Sequence, residues 1–208
     1  MTVYALVGAS DFNGEHFTTQ WREGAFDRII AVDGGLASLQ EVGCTPDEAL
    51  GDFDSLGYVP TGLRTVRFPP EKDASDMQLA LERAVRQGAS AVAVYGALGR
   101  RLDHTLANLQ LFAAFAEQGV EVVAVGDHER VTFLVGPGEL LLEAADGGIV
   151  SVFSLTDVST GVYEEGLRYG LDDATLTNRT SWGLSNEFAG TAARISVTAG
   201  TLAIFLPL

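Results

Sequence analysis

Ser75-Asp76-Met77-Gln78-Leu79-Ala80-Leu81-Glu82-Arg83-Ala84-Val85-Arg86-Gln87-Gly88 is followed, two residues on, by Ala91-Val92-Ala93-Val94-Tyr95. The first run places Met77, Ala80, Leu81, Ala84 and Val85 at i, i+3, i+4 spacing, which predicts a helix over residues 76–87 with one apolar face. Ser75 with Gln78 three residues later predicts a capping box at its start, and Gly88 closes the pattern. The second run is apolar throughout and of strand length, as expected of a strand covered on both faces. A helix feeding directly into such a strand is the repeating piece of a βαβ unit.

Working outward, residues 3–7, 28–32, 64–68 and 121–125 also read as strands, with a short one before Asp52. Residues 102–118 repeat the helical spacing through Leu106, Leu109, Ala113 and Ala116 and end at Gly119. Residues 1–127 are therefore expected to form a mostly parallel, Rossmann-like α/β domain. The texture changes near Gly126. Short β-rich runs at 131–135, 139–142, 149–155, 194–197 and 201–205 are separated by turn signals such as Gly136-Pro137-Gly138 and Asp146-Gly147-Gly148. No helical period occurs there, so residues 128–208 predict a small antiparallel β-sandwich or barrel. No repeat, low-complexity tract or flexible linker divides the two.

Composition narrows the function. The chain has 208 residues, 47% hydrophobic and 20% charged, which suits an ordinary globular protein with one large core or two modest ones. A net charge of −15 argues against a nucleic-acid partner, because phosphate backbones select basic faces. It would also repel free ATP, so a nucleotide substrate would have to arrive with its metal, while a cationic second substrate would be favoured. The same acidity equally serves solubility alone. No apolar run approaches the roughly 18 residues of a membrane span, and residues 1–7 read as a strand rather than a signal peptide. Cys44 is the single cysteine, so no intrachain disulfide can form, which suits a reducing cytoplasm.

The chemistry concentrates in loops after strands. Twelve arginines accompany one lysine, and that lysine lies within the acidic run Glu71-Lys72-Asp73-Ala74-Ser75-Asp76. A compact ammonium among carboxylates suits a metal-bound polyphosphate. Asp52 and Asp54, in Gly51-Asp52-Phe53-Asp54-Ser55, point the same way if extended, and two such like charges call for a hard cation such as Mg²⁺. The plainer reading is a pair of turn aspartates. Asp73 and Asp76 equally suit helix capping, and Lys72 a solvated surface. Gly96-Ala97-Leu98-Gly99-Arg100-Arg101-Leu102-Asp103-His104 offers backbone N–H groups and guanidinium charge to phosphate oxygens. Asp33-Gly34-Gly35 follows a strand in the same manner, its acid suited to a ribose hydroxyl. His104 beside Asp103 reads as an oriented imidazole rather than a metal ligand; His16 and His128 read as surface or loop residues. Neither the P-loop nor the kinase glycine-rich motif is present in the sequence.

Taken together and in order, Ala31-Val32-Asp33-Gly34-Gly35, Gly51-Asp52-Phe53-Asp54-Ser55, Glu71 to Asp76, Arg101-Leu102-Asp103-His104-Thr105-Leu106-Ala107-Asn108 and Gly183-Leu184-Ser185-Asn186-Glu187 resemble the thiamine pyrophosphokinase family. The resemblance implies an α/β catalytic domain followed by a β-sandwich. It further implies a homodimer with sites at the subunit junction, and transfer of the terminal pyrophosphoryl group of ATP to the hydroxyl of thiamine with release of AMP. By that resemblance Asp52, Asp54 and Asp76 hold Mg²⁺, and Lys72, Asp73, Arg101 and Asp103 surround the phosphates or the attacking hydroxyl. Ser185 and Asn186 help to recognise thiamine. Three features stand apart. Ser75 and Gln78 replace the usual Thr and Glu, Arg100 stands where a second glycine is usual, and Trp182 precedes the last motif. Trp182 suits stacking on an aromatic cation, with core or interface packing the favoured alternative. Rival readings are a pyrophosphotransferase for another hydroxymethyl heterocycle such as a pterin, a metal-dependent glycosyltransferase, and a non-catalytic thiamine or nucleotide sensor.

Overall fold

The computed structural model of the chain describes residues 1–53, 57–58, 62–69, 71 and 73–208. Asp54 and Lys72, both candidate site residues, lie outside the described residues. The chain divides into two compact units: Met1–Leu111 with Gly119–Asp127, and Phe112–Gln118 with His128–Leu208.

From the N-terminus strand and helix alternate: β1 (Val3–Val7), α1 (Gly14–Arg22), β2 (Arg28–Val32), α2 (Gly35–Glu41), β3 (Glu48–Gly51), β4 (Arg64–Arg67), α3 (Asp76–Arg86), β5 (Ala91–Tyr95), α4 (Leu102–Ala116) and β6 (Glu121–Val125), all in the first unit except the end of α4 from Phe112 on. The strands pair in parallel in the order β6-β5-β1-β2-β3-β4. This is the doubly wound arrangement that the alternating pattern predicts, and its carboxyl-end loops gather on one edge. Strands β1, β2 and β5 are buried along nearly their whole length because helices cover them. On one side Phe17 packs with Phe12, Trp21, Phe26 and Tyr95, its ring 5.2 Å from Tyr95 in an edge-on contact. Cys44 is buried in the same cluster, and burial, with Asp47 adding to it, pushes its thiol up to about 11.

Helix α3 begins as predicted, with Ser75 accepting from the N–H of Gln78 at 3.2 Å. The reciprocal half of the capping box is not made. The Gln78 side chain instead donates to Glu82 at 3.1 Å, one turn on. Helix α4 departs further from its pattern. Leu102 and Leu106 are exposed, and burial begins in earnest only at Phe112.

The second unit contains β7 (Glu129–Val135), β8 (Gly138–Leu142), β9 (Ile149–Ser154), β10 (Val158–Glu165), β11 (Leu171–Thr177), β12 (Asn186–Glu187), β13 (Ala193–Val197) and β14 (Thr201–Pro207). They pair antiparallel as β12-β9-β14-β7 and as β11-β10-β13-β8. Val150, Val152, Leu202 and Ile204 of the first set share a buried core with Val162, Leu176, Ile195 and Val197 of the second, as in a sandwich.

Candidate active site

The carboxyl ends of β1, β2 and β5 and the start of α3 and α4 enclose a cavity of about 520 Å³ in the first unit. Its polar lining includes Ser10, Asp33, Asp76, Arg100, Arg101 and His104. The strands set this up sterically. Gly8 and Gly96 end β1 and β5, and a Cβ on Gly8 would lie 2.5 Å from the Gly96 carbonyl oxygen; one on Gly96 would strike the Gly8 carbonyl. Gly96 also has φ 61, so the crossing point admits glycine alone.

Asp33 follows β2 directly, with φ 49 and its N–H donating to the Leu50 carbonyl at 2.7 Å. That bond holds the ends of β2 and β3 together. Asp52 comes just after β3, and Phe53, also left-handed at φ 62, turns its ring into the core. Asp76 opens α3, where the helix dipole favours a carboxylate. One oxygen each of Asp33 and Asp76 is buried. Asp73 is exposed ahead of the helix. Among the described residues no group of three acidic, His or Cys side chains forms a metal cluster.

The loop after β5 curls through Gly96, Gly99 and Arg100, all at positive φ. Thr105 pins it from α4, its hydroxyl accepting from the Gly99 N–H at 3.1 Å, while Asn108 donates to the Ala97 carbonyl at 2.8 Å. Arg101 and Asp103 form a two-pronged ion pair, 2.6 and 3.1 Å, on the surface. The hydrogen bond from Arg101 holds the Asp103 carboxyl down to about 2. Asp103 is therefore a fixed negative charge at neutral pH and a poor general base in this arrangement.

In the second unit Trp182, Leu184 and Ser185 stand exposed on the turn before β12, with Trp182 61% accessible. Trp182 is thus not a core residue. Asn186 is buried and saturated. Its Nδ2 donates to Glu164 and to the Tyr169 carbonyl, each at 2.7 Å, and its Oδ1 accepts from the N–H groups of Tyr169 and Glu187. Burial raises the Glu164 carboxyl above its ordinary range, opposed by the bond from Asn186. Asn186 therefore organises the turn, leaving Ser185 and Trp182 exposed.

Most of this geometry sits within two matched family models. Residues 21–124 match the thiamin pyrophosphokinase catalytic domain, and residues 140–202 match the thiamin pyrophosphokinase vitamin B1 binding domain. The chain belongs to the thiamin pyrophosphokinase family. The thiamine pyrophosphokinase of Bacillus subtilis (strain 168) is 27% identical over 184 residues, covering 83% of this chain and 84% of that protein. Among solved structures, the Geobacillus thermodenitrificans thiamin pyrophosphokinase is 26% identical with a TM-score of 0.80, covering 100% of this chain and 98% of that one. The Candida albicans thiamin pyrophosphokinase shares the fold, with TM-score 0.80 at 16% identity, covering 100% of this chain and 89% of its own. Within this chain, Asp33, Asp52, Asp76, Arg101 and Asp103 fall inside the catalytic match, and Trp182, Ser185 and Asn186 inside the vitamin B1 binding match. The segment Gly8 to Asp11, which reading by motif did not single out, precedes both and lines the cavity or its rim. Ser-Asp after an apolar strand was the only signal available, and it is too common to stand out.

Proposed function

We propose that this chain is a thiamine pyrophosphokinase, transferring the pyrophosphoryl group of ATP to the hydroxyl of thiamine to give thiamine diphosphate and AMP. The observation that carries the reading is the convergence of Asp33, Asp76, Arg101 and His104 on one cavity at the carboxyl edge of a parallel sheet. The hydroxyl oxygen attacks the β-phosphorus in line, the bond from that phosphorus to the bridging oxygen of the α-phosphate breaks, and the hydroxyl proton is lost. Positioning and charge neutralisation supply most of the acceleration.

Asp52 and Asp76, with Asp54, offer only hard carboxylate oxygens, a donor set that fits Mg²⁺. When bound there, the ion neutralises charge on the polyphosphate. Arg101 draws charge from the transferred group, and the glycine-bearing loop offers its N–H groups to phosphate oxygens. Lys72 and Asp73 extend this arrangement; Asp33, Gly34 and Gly35 serve the nucleotide, with His104 at the cavity wall. Trp182 stacks on the thiamine cation and Ser185 bonds its ring, with Asn186 holding the turn. We further propose a cytoplasmic homodimer. The exposed Leu102 and Leu106 support association, since they form an apolar pair one turn apart on a single helix face. Among the described residues no helix is long and apolar enough to cross a membrane.

The test is to incubate the protein with ATP, Mg²⁺ and thiamine, with and without EDTA, and to quantify AMP and thiamine diphosphate. Equal, metal-dependent amounts of both are expected. AMP formation with a pterin alcohol and none with thiamine would move the assignment to another heterocycle.

A further inference from the structure

The loop after β1 is stitched to the loop after β5 along its whole length. The Gly8 N–H donates to the Tyr95 carbonyl and the Ser10 N–H to the Gly96 carbonyl, each at 2.8 Å. The Ser10 hydroxyl donates to the Leu98 carbonyl at 2.7 Å. Asp11 then takes over the exposed end. Its Oδ2 accepts the Arg100 N–H at 3.1 Å, and its Oδ1 lies 3.5 Å from the Arg100 guanidinium. The same carboxylate lies directly against the Gly99 Cα, where a Cβ would collide with it. The Arg100 guanidinium also donates to the Ala9 carbonyl at 3.2 Å.

Arg100 occupies the left-handed region at φ 42, which disfavours a residue with a side chain. The N–H that this conformation turns outward is the one Asp11 accepts. Arg100 also lines both the cavity described above and an adjoining one of about 570 Å³, whose lining includes Asp11, Phe12 and Ser38. One carboxylate thus fixes the backbone of a phosphate-facing loop and, with the Ala9 carbonyl, orients the guanidinium beside it.

We propose that Asp11 is a positioning residue that holds the Gly99–Arg101 segment in its left-handed curl and sets affinity for the polyphosphate of the nucleotide through Arg100. This rests on the nucleotide-dependent reading of the cavity given above. With Asp11 neutralised, the loop loses its anchor and Arg100 loses its orientation; the two losses share one cause. Both partners are more than two-fifths accessible, so a moderate effect is expected.

The experiment measures MgATP affinity by calorimetry and steady-state kinetics for the wild type, Asp11→Asn, Arg100→Gly and the double variant. Asp11→Asn should weaken MgATP binding and raise its KM about three- to ten-fold, with a smaller change in kcat. Glycine adopts φ 42 freely, so Arg100→Gly should retain the loop, and adding Asp11→Asn to it should cost little more. Faster amide exchange across residues 96–103 in Asp11→Asn alone, at unchanged melting temperature, is the accompanying signature. Equal MgATP affinities for wild type and Asp11→Asn, or additive losses in the double variant, would overturn the inference. A wild type that binds MgATP with the expected variant pattern but yields no thiamine diphosphate would instead remove the thiamine assignment and leave Asp11 in its role. No MgATP binding by the wild type would remove both.

Discussion

Arg100 and Ser185 are both non-glycine residues in the left-handed region, at φ 42 and 59, and they are held in opposite ways. Arg100 is held from the side by an exposed neighbouring loop, through Asp11, Ala9 and the stitching of Ser10. Ser185 is held from beneath. Its N–H donates to the hydroxyl of Ser151 at 3.0 Å, Gly183 is pressed against the Val152 carbonyl, and Asn186 ties the turn to Tyr169 and Glu164. The first arrangement leaves its charges at the surface. The second spends its polar groups internally and projects Trp182, Leu184 and Ser185 outward. One loop is held through exposed charged groups, and the other through buried polar ones.

The largest break in that comparison comes from the charges of the first region. Asp76→Asn keeps the volume and the helix start but removes a carboxylate from the proposed metal site. Turnover should fall by roughly 100- to 1,000-fold, about 3–4 kcal/mol of transition-state stabilisation, with circular dichroism and melting temperature near those of the wild type. Turnover within threefold of normal would take Asp76 out of the site.

Next in size is the backbone beneath the loop after β5. Gly96→Ala places a methyl group against the Gly8 carbonyl at a positive φ, so β1 and β5 must part at the cavity floor. A loss of about 2–4 kcal/mol is expected, read as a melting temperature lowered by roughly 5–10 °C. A comparable substitution at Gly24, where a Cβ would meet nothing within 4 Å, keeps the conformational penalty without the collision. Equal losses at both positions would show that close approach of the strands is not what matters.

How much of this was legible in the sequence follows the same division. Strands β1, β2, β5 and β6 announce themselves because their runs are almost wholly apolar and mostly buried. Strands β10 and β11 escaped the reading, for a physical reason. Their inward positions include Ser159 and Glu164, and their outward ones Thr160, Asp172 and Asp173, so no apolar alternation survives. The buried serine is stabilised by hydroxyl partners, Ser154 at 2.8 Å and Thr156 at 3.2 Å, which no local pattern encodes. The acidic and arginine motifs named most of the cavity because they are short and contiguous. Asp11 was invisible because its partner is 89 residues away. Leu106 was read onto the apolar face from spacing alone and is exposed, since spacing cannot tell a face buried within the chain from one left at its surface.

On the second region, Trp182→Ala tests the presented face. The indole is exposed, so little stability should be lost, while stacking on a cation is worth about 1 kcal/mol. The KM for thiamine should rise roughly fivefold, with kcat and melting temperature little changed. A lowered melting temperature at unchanged KM would assign Trp182 to packing instead.

The smallest effect probes the scaffold under that face. Glu164 is buried, and its carboxyl is pushed up by desolvation, with the Asn186 hydrogen bond opposing. A carboxyl raised in the folded state favours folding when protonated. Its contribution is fully present below the ordinary value of 4.5 and is lost as pH rises from there through the raised value. Glu164→Gln cannot ionise but can still accept from Asn186 through its amide oxygen. The variant should therefore match the wild type near pH 4 and melt higher at pH 8, by about 2 °C. Its thiamine KM should be unchanged if the amide holds Asn186 as the carboxyl does. A gap that does not vary with pH would mean that Glu164 carries the same charge throughout. A melting temperature below wild type at pH 8, with a raised KM, would mean that the negative charge itself anchors Asn186, and the fixed face of the second region would then depend on an ionised group as much as the first region does.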